Sequence, residues 1–441
     1  MAEKIDNILS EENLLELAKT SGFIKRESKL KAHSFLDMLL FKNVEDDKFS
    51  LLNMVSSLTH RYQQHLSKQS IHERFTQSAV NFIKSVIKQY LEAQLSSTRF
   101  NESCYFKAIK IKDSTRFQLP AHLKNTYPGC GGNASESGCH IQLEYDALNH
   151  HINDLKLTDA LTQDSTDAKE TIHTIHKDEL IIRDLGYYSQ KVLLSIMEQS
   201  AYFLSRVKPK TCFYYVDQPS KKVDFVALKK QMKSKGIKQM ELLVHTTLIK
   251  KPIRLIIDDL PEQVIEQRIS KAKKEAKKKG RTLSKEYKVY ASLNLFITNA
   301  PKEKLSIQSS LKLYHLRWQI ELRFKVWKSI YSLDRVKKVN RYRFECQLYA
   351  KFLYLLISWE IGNKFQMILW KSHKALASFY KVSDMINQHC SSLRNAFQGR
   401  GESIILLIEE WYLLTRKSLL QEKRKDRVNL EDLLYLVSDI Q

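Results

Sequence analysis

The first 95 residues carry apolar side chains at the three- and four-residue spacing of amphipathic helices. The clearest stretches are residues 35–40 and 80–87. Between them, residues 50–75 resemble two short helices joined by a polar turn, in which Lys68, His72 and Arg74 face either a phosphate backbone or solvent. The pattern predicts a helical N-terminal domain over residues 1–98.

The period of the pattern changes near residue 100. Residues 105–112 alternate apolar and basic side chains in their second half, as a half-buried strand does, and Asp113 closes this strand. The strand pattern continues at residues 117–119 and 140–145. A short buried strand follows at residues 180–182 and ends at Asp184, and a further strand is predicted at residues 201–206. We interpret residues 99–206 as the first part of an α/β core.

Residues 207–288 interrupt this core. They contain basic strands and then a charge run at 271–281, which either lines a channel for a polyanion or is a solvated helix face. A strand resumes at 292–297, and a long helix follows over residues 307–330. This order predicts an α/β core with a β-strand-rich basic insertion at 207–288. The core resumes over 289–340 and is flanked by helical N- and C-terminal domains, the latter over 341–441.

The helix at 307–330 carries the most informative group of polar residues. Tyr314, Arg317, Glu321 and Lys328 project into one sector of about 60° at the helical spacing of 100° per residue. An apolar stripe of residues 313, 316, 320, 324 and 327 lies beside it. Such a face indicates either a functional site or a surface helix with an ion pair between Arg317 and Glu321.

Two aspartates at the ends of predicted strands give this helix a chemical context. Asp113 and Asp184 stand where an α/β sheet presents side chains at strand ends, although each also fits the role of a turn cap. Together with Glu321 they form a set of hard oxygen ligands for a pair of Mg²⁺ ions, which Mn²⁺ would replace. Rival carboxylates lie in polar stretches or before a strand; these are Asp146, Asp154, Asp178 and Glu179.

Composition points to a nucleic acid as the partner. The chain has 441 residues, of which 43% are hydrophobic, and 72 Lys and Arg against 49 Asp and Glu give a formal charge of +23. This excess attracts polyanions, although ribosomal and membrane-surface proteins are also basic. We therefore interpret the N-terminal domain as DNA-binding. In the second part of the core, we expect Arg317 and Lys328 to contact phosphates, with Tyr314 beside them. Further phosphate contacts are expected from Lys325, Arg335 and Lys337.

Other classes of protein fit the sequence less well. The polar N-terminus lacks the apolar stretch of a secretory signal, and the apolar run at 352–359 is too short to span a bilayer, so we expect a cytoplasmic protein without a membrane segment. The six cysteines are scattered, and Cys130, Cys139 and His140 have no fourth ligand at the spacing of a zinc finger.

The spacing Tyr-x2-Arg-x3-Glu-x6-Lys at 314–328 resembles the signature of the insertion-sequence-four family of DDE transposases. Four further regions are similar to that family: residues 111–115, residues 128–132 with 141–145, residues 182–186 and residues 295–299. The resemblance covers most of residues 25–350. It implies an RNase H-like core in which Asp113, Asp184 and Glu321 bind the metal ions, while Tyr314, Arg317 and Lys328 hold the terminal phosphate or unpaired end.

The resemblance also implies cut-and-paste transposition in the bacterial nucleoid. The partners would be double-stranded DNA, both the terminal inverted repeats of the element and the target, and a second copy of the chain in a homodimer. Two alternatives stay open on the sequence. One is a nuclease of the same fold that cuts without joining, and the other is a non-catalytic DNA-binding protein from a decayed element.

Overall fold

The alternation of residues after position 100 produces one large sheet. In a computed structural model, which describes residues 2–42, 49–94, 104–132, 134–399 and 403–422, nine strands of the described chain form this sheet. They are β1 (Ile109–Gln118), β2 (Gly138–Asp146), β3 (His151–Asp159), β4 (Leu180–Arg183), β5 (Tyr202–Arg206), β6 (Tyr214–Tyr215), β7 (Gln239–His245), β8 (Ile253–Asp259) and β9 (Leu293–Thr298).

The order of strands across the sheet is β3-β2-β1-β4-β5-β9-β8-β7-β6. β1, β4 and β5 are parallel neighbours, and the other pairings are antiparallel. The parallel strands require crossover connections, which run through the helices between them. Strands β1 and β4 therefore lie side by side at the centre of the first half of the sheet, with their carboxyl ends pointing the same way.

The prediction that Asp113 closes the first strand is wrong. β1 begins only at Ile109 and continues to Gln118, because its ladder with β2 extends from Lys110 opposite Asp146 to Gln118 opposite Gly138. The residues predicted as a separate strand at 117–119 are thus largely the end of β1. Asp184 directly follows β4, as predicted.

Helices cover the two ends of the described chain, as predicted. They are α1 (Ala2–Leu9), α2 (Glu11–Thr20), α3 (Ala32–Asp37), α4 (Leu51–Tyr62), α5 (Lys68–His72), α6 (Gln77–Gln94), and, toward the C-terminus, α14 (Arg341–His373), α15 (Phe379–Gln388), α16 (Cys390–Phe397) and α17 (Ile404–Ser418). The predicted boundary at residues 98–99 and the last part of the C-terminal domain, residues 423–441, lie outside the described residues.

The N- and C-terminal helices pack against each other and share one hydrophobic core. A buried ion pair joins them, since the guanidinium Nε of Arg394 lies 3.1 and 2.9 Å from the two carboxylate oxygens of Asp37. Tyr90 on α6 donates a hydrogen bond to Glu360 on α14. These contacts make the two helical regions one packed body beside the sheet.

The segment 207–288 is strand-rich only in part. Its strands β6, β7 and β8 extend the sheet through β9, but it also contains the helices α9 (Phe225–Ser234) and α10 (Glu262–Lys278), and α11 (Lys285–Ala291) runs across its end. The charge run lies at the end of α10, where Lys271, Lys274 and Lys278 are exposed. This segment therefore continues the large sheet instead of forming a separate one.

The predicted helix at 307–330 is divided by a tight turn. It consists of α12 (Ile307–Leu313), a 3₁₀ turn at Tyr314–Leu316 and α13 (Arg317–Ser329). The turn directs Tyr314 toward β4, where its hydroxyl lies 3.4 Å from the carbonyl oxygen of Arg183. The remaining helices are α7 (Asp164–Glu170) and α8 (Gln190–Glu198). In the described part of the chain, no helix is both long and apolar enough to cross a membrane.

Candidate active site

Successive side chains in a strand point to opposite faces of the sheet, and this alternation determines which way the two aspartates face. In β1, Ile111 is buried in the core beneath α13 and α14, and Asp113 is two residues further on the same face. In β4, Ile182 is buried in that same core and Asp184 follows it by two. Because β1 and β4 are adjacent and parallel, both aspartates reach the side of the sheet that α13 covers.

Arg317 lies at the centre of the three predicted carboxylates. Its Nη1 is 2.8 Å from Oδ2 of Asp113 and 2.7 Å from Oε1 of Glu321, and its Nε is 3.7 Å from Oδ1 of Asp184. The three acids come from β1, the end of β4 and α13, so one guanidinium joins three elements that are far apart in sequence. The structure brings the predicted triad together around a positive charge.

Asp113 has a perturbed acidity. Burial raises its pKa from the usual 3.8 to about 6, while the Ser114 backbone N–H and Arg317 lower it and the charges of Asp184 and Glu321 raise it. Its side chain is only 13% exposed. A carboxyl group that is buried beside two other carboxyl groups carries an energetic cost in its charged form, and a cation at this position offsets that cost.

The donor set suits a divalent cation. Carboxylate oxygens are the preferred ligands of Mg²⁺, and three acids converge on one positive group. Among the described residues, however, no three acidic, histidine or cysteine side chains are arranged as a ready metal site. The three acids are joined instead through the guanidinium of Arg317, which contacts each of them.

The other predicted DNA-contacting residues lie along α13 and after it. Lys328 donates to the carbonyl oxygen of Arg116 near the end of β1, at 3.1 Å, and the exposed Lys325 lies over the ring of Trp318, 5.7 Å from its centroid. Arg335 and Lys337 are further from β1 and line a cavity of about 330 Å³. Tyr314, Arg317 and Lys328 therefore contact β1 or β4, whereas Arg335 and Lys337 belong to another surface.

The rival carboxylates have structural partners. Asp146 accepts hydrogen bonds from the backbone N–H groups of Ile109 and Leu148, which makes it a turn cap. Asp154 pairs with Lys112 at 3.2 Å and Glu179 with Lys110 at 2.7 Å. Asp178 lies 3.9 Å from Lys107 in a turn. Each of these acids is used in a local cap or ion pair away from the triad.

The burial of the basic residues in β1 was not predicted. Lys110 and Lys112, taken as the solvent side of a half-buried strand, are 6% and 0% exposed. Lys112 contacts Asp167 on α7 at 2.6 Å, and Arg183 contacts Glu144 on β2 at 3.3 Å. The face opposite the triad is thus a buried layer of paired charges. In the sequence, the acidic residues in the first turn of α7 indicated where acidic partners for these buried bases could lie.

A second cavity adjoins the triad and was also not predicted. It has a volume of about 300 Å³ and lies between the insertion and α13, where Arg206, Arg268 and Trp318 line it with Tyr314 and Arg317. Trp318 is 51% exposed. The sequence carries no local signal for this cavity, because its lining residues come from segments that are far apart in the chain.

Comparison with known proteins assigns the chain to a family. The model of a family described as the transposase DDE domain matches residues 105–357, which include all three carboxylates and Arg317. The chain belongs to this family of DDE transposases, of the insertion-sequence-four type. It is accordingly a DNA transposase, an enzyme that cleaves DNA and transfers strands.

The relatives match over nearly the whole chain. The transposase for insertion sequence element IS231F of Bacillus thuringiensis subsp. israelensis is 30% identical, covering 96% of this chain and 93% of its own length. The transposase for element IS1151 of Clostridium perfringens is 31% identical over 78% of this chain and 76% of its own length. A piggyBac transposase complex with hairpin DNA is similar in structure with a TM-score of 0.40 at 10% identity, covering 96% of this chain and 84% of its own.

Proposed function

We propose that Asp113, Asp184 and Glu321 bind a pair of Mg²⁺ ions, or Mn²⁺ in their place, and that this centre cleaves and joins DNA at the ends of the element. One observation carries the proposal: three acids from three separate elements all contact the guanidinium of Arg317. The strand order β3-β2-β1-β4-β5, with β1, β4 and β5 parallel, supports an RNase H-like core around them.

The acids would hold the ions, and the ions would supply activation of the attacking water or 3′-hydroxyl and stabilisation of the leaving oxygen. Arg317 offsets the charge of Asp113, Asp184 and Glu321, because its guanidinium contacts all three carboxylates. Its planar fork also matches the geometry of a phosphate, so the same side chain would hold the DNA end beside the three acids.

Lys328 and Tyr314 would contact the DNA beside this centre. Both lie on the edge of α13 or the turn before it, near the carboxyl ends of β1 and β4. Lys325 is exposed on α13 and would extend the contact, while Arg335 and Lys337 would bind phosphates further along the strand. The basic end of α10 would add affinity without taking part in the chemistry.

The proposal includes cut-and-paste transposition of double-stranded DNA by a homodimer at the bacterial nucleoid. The substrates would be the terminal inverted repeats of the element and a target duplex. The N-terminal helices α4 and α5 would contribute to DNA binding through residues such as Lys68 and His72 on α5. Their packing against the C-terminal helices means that this surface would be held rigidly relative to the core.

The test is strand transfer by the purified full-length protein. Uncut DNA that carries the terminal repeats of the element is incubated with a supercoiled plasmid and Mg²⁺, and bound, cleaved and joined products are separated by gel electrophoresis. We expect joined products with the parent protein and none with Glu321→Gln. Cleaved ends that are never joined would replace the proposal by a nuclease function. Tight DNA binding without any cleavage would replace it by a DNA-binding function.

A further inference from the structure

Asp164 lies behind the sheet, on the face opposite the triad. It is the first residue of α7, and its side chain is 21% exposed. The acidic residues of the triad face α13, whereas Asp164 faces the side of β1 that carries Lys112 and Ser114. It is therefore separated from the proposed metal ligands by the thickness of the sheet.

Asp164 is joined to Asp113 through Ser114. The Ser114 hydroxyl donates to Oδ1 of Asp164 at 2.9 Å, while the Ser114 backbone N–H donates to Oδ1 of Asp113 at 2.8 Å. One residue thus holds a carboxylate on each face of β1. The hydrogen bond from the Ser114 side chain to Asp164 restricts the movement of the Ser114 backbone, and the N–H group of that backbone orients the Asp113 carboxylate.

Asp164 also contacts the turn that follows Asp184. A Cβ atom added at Gly186, two residues after Asp184, would lie only 2.6 Å from Oδ2 of Asp164. The turn can therefore approach the carboxylate this closely only because residue 186 is glycine. The same turn is closed by the Tyr187 backbone N–H, which donates to the carbonyl oxygen of Asp184 at 3.0 Å.

The position of Asp164 is itself fixed by β2. The Gln142 amide donates to Oδ1 of Asp164 at 3.0 Å, and Gln142 in turn accepts a hydrogen bond from the Tyr187 hydroxyl. His140 Nε2 lies 3.4 Å from the same oxygen. One carboxylate therefore contacts β1, β2 and the turn after β4, which are the elements that carry or adjoin both aspartates.

We propose that Asp164 is a positioning residue that holds Asp113 and Asp184 at the separation the metal ions require. This inference rests on the function proposed for the triad. Residues that orient metal ligands from outside typically change metal affinity or activity by about 10- to 100-fold when substituted. Asp164 would act in this way on two ligands together, since it restrains β1 through Ser114 and the β4 turn through Gly186.

The experiment measures the Mn²⁺ affinity of the full-length protein by electron paramagnetic resonance and the Mn²⁺ concentration that half-saturates DNA nicking. Asp164→Asn removes the charge, and Ser114→Ala removes the linking hydroxyl while it keeps the backbone N–H to Asp113. We expect both to weaken Mn²⁺ binding by about 10- to 100-fold. The double variant should bind no more weakly than Asp164→Asn alone, because the Ser114 hydroxyl acts on Asp113 only through its hydrogen bond to Asp164.

Asp159→Asn is the matched control. Asp159 caps the loop before α7 by accepting from the backbone N–H groups of Leu161 and Thr162. We expect this variant to bind Mn²⁺ as the parent does, and Ser114→Thr, which keeps the hydroxyl, to restore most of the affinity lost in Ser114→Ala. Thermal unfolding of each variant establishes that it is folded.

Two outcomes separate this inference from the proposed function. If the parent binds Mn²⁺ but folded Asp164→Asn and Ser114→Ala bind it equally well, the positioning role is overturned and the triad is unaffected. If the parent neither binds Mn²⁺ nor nicks DNA in its presence, the triad proposal fails and this inference fails with it. Should Asp164→Asn not fold, Ser114→Ala decides, and an affinity equal to that of the parent overturns the role.

Discussion

The two faces of strands β1 and β4 differ in how their charged side chains are paired. On the face toward α7, Lys112 is fully buried and its ammonium group lies 2.6 Å from Asp167, which is also fully buried. On the face toward α13, three acids share a single guanidinium. On the first face Lys110, Lys112 and Arg183 each have an acidic partner of their own within 3.3 Å, whereas on the second face a single guanidinium is shared by three acids.

This difference separates the structural role of the face toward α7 from the catalytic role that we propose for the face toward α13. Buried charges that are fully paired hold neighbouring elements in a defined arrangement, because loss of either partner leaves an uncompensated charge. An excess of negative charge is costly to the free protein and becomes favourable when cations bind. The alternation of β1 places Lys112 and Asp113 on opposite faces, so one strand serves both purposes.

The largest effect on stability should come from breaking the balanced face. Lys112→Met removes the buried ammonium group 2.6 Å from Asp167 and leaves that carboxylate with only the more distant, partly exposed Lys156, so we expect it to lower the free energy of unfolding by about 3–5 kcal/mol. Urea unfolding followed by circular dichroism measures this. The matched control is Lys156→Met, whose side chain is 39% exposed and also reaches Asp167, at 3.7 Å.

We expect Lys156→Met to cost less than about 1 kcal/mol, as partly exposed ion pairs do. Equal losses in the two variants would show that burial of Lys112 adds nothing to its interaction with Asp167. In that case the paired layer would not be the support that distinguishes this face of the sheet.

A smaller effect, of opposite sign, should come from the face of the triad. Burial raises the pKa of Asp113 to about 6, so folding favours its protonated form. The stability that Asp113 contributes is therefore fully present below its unfolded pKa near 3.8 and is lost as the pH rises through about 6. Asp113→Asn should be more stable than the parent at pH 7 without metal, by up to roughly 3 kcal/mol.

The pH dependence of that difference is the decisive part of the measurement. Thermal unfolding in EDTA between pH 4 and 7 should show the advantage of Asp113→Asn growing with pH, and almost none at pH 4. If Asp113→Asn is less stable than the parent at pH 7, then Arg317 already offsets the charge of the triad completely. The contrast between the two faces would then be lost.

Much of this arrangement could be predicted from the sequence, because it depends on residues that are close together along the chain. The spacing of Tyr314, Arg317 and Glu321 predicts a common helix face, and the buried run before Asp184 predicts its place at a strand end. The extent of β1 could not be predicted in this way, because the strand is prolonged by its pairing with β2. Pairing between distant segments leaves no local signal.

The burial of Lys112 escaped prediction for a similar reason. A lysine that alternates with apolar residues indicates a solvent-facing side of a strand, unless another segment supplies a buried acid. That segment is α7, more than fifty residues later. The ion pair of Arg317 with Glu321 was one of the two alternatives for this helix face. The contacts of Arg317 with Asp113 and Asp184 were not predicted, because those residues lie on strands that are distant in the sequence.

The central claim is that Asp113, Asp184 and Glu321 form the metal-dependent centre. The most direct test is nicking of a DNA duplex that carries the terminal repeats of the element, by the parent, Asp113→Asn, Asp184→Asn and Glu321→Gln, in Mg²⁺ and in EDTA. Asp334→Asn, which changes an exposed acid after α13, is the control. We predict nicking that requires Mg²⁺, falls on the order of 10³-fold or more in each triad variant, and is unchanged in the control. Nicking by the parent in EDTA, or by any folded triad variant at the rate of the parent, would contradict the account.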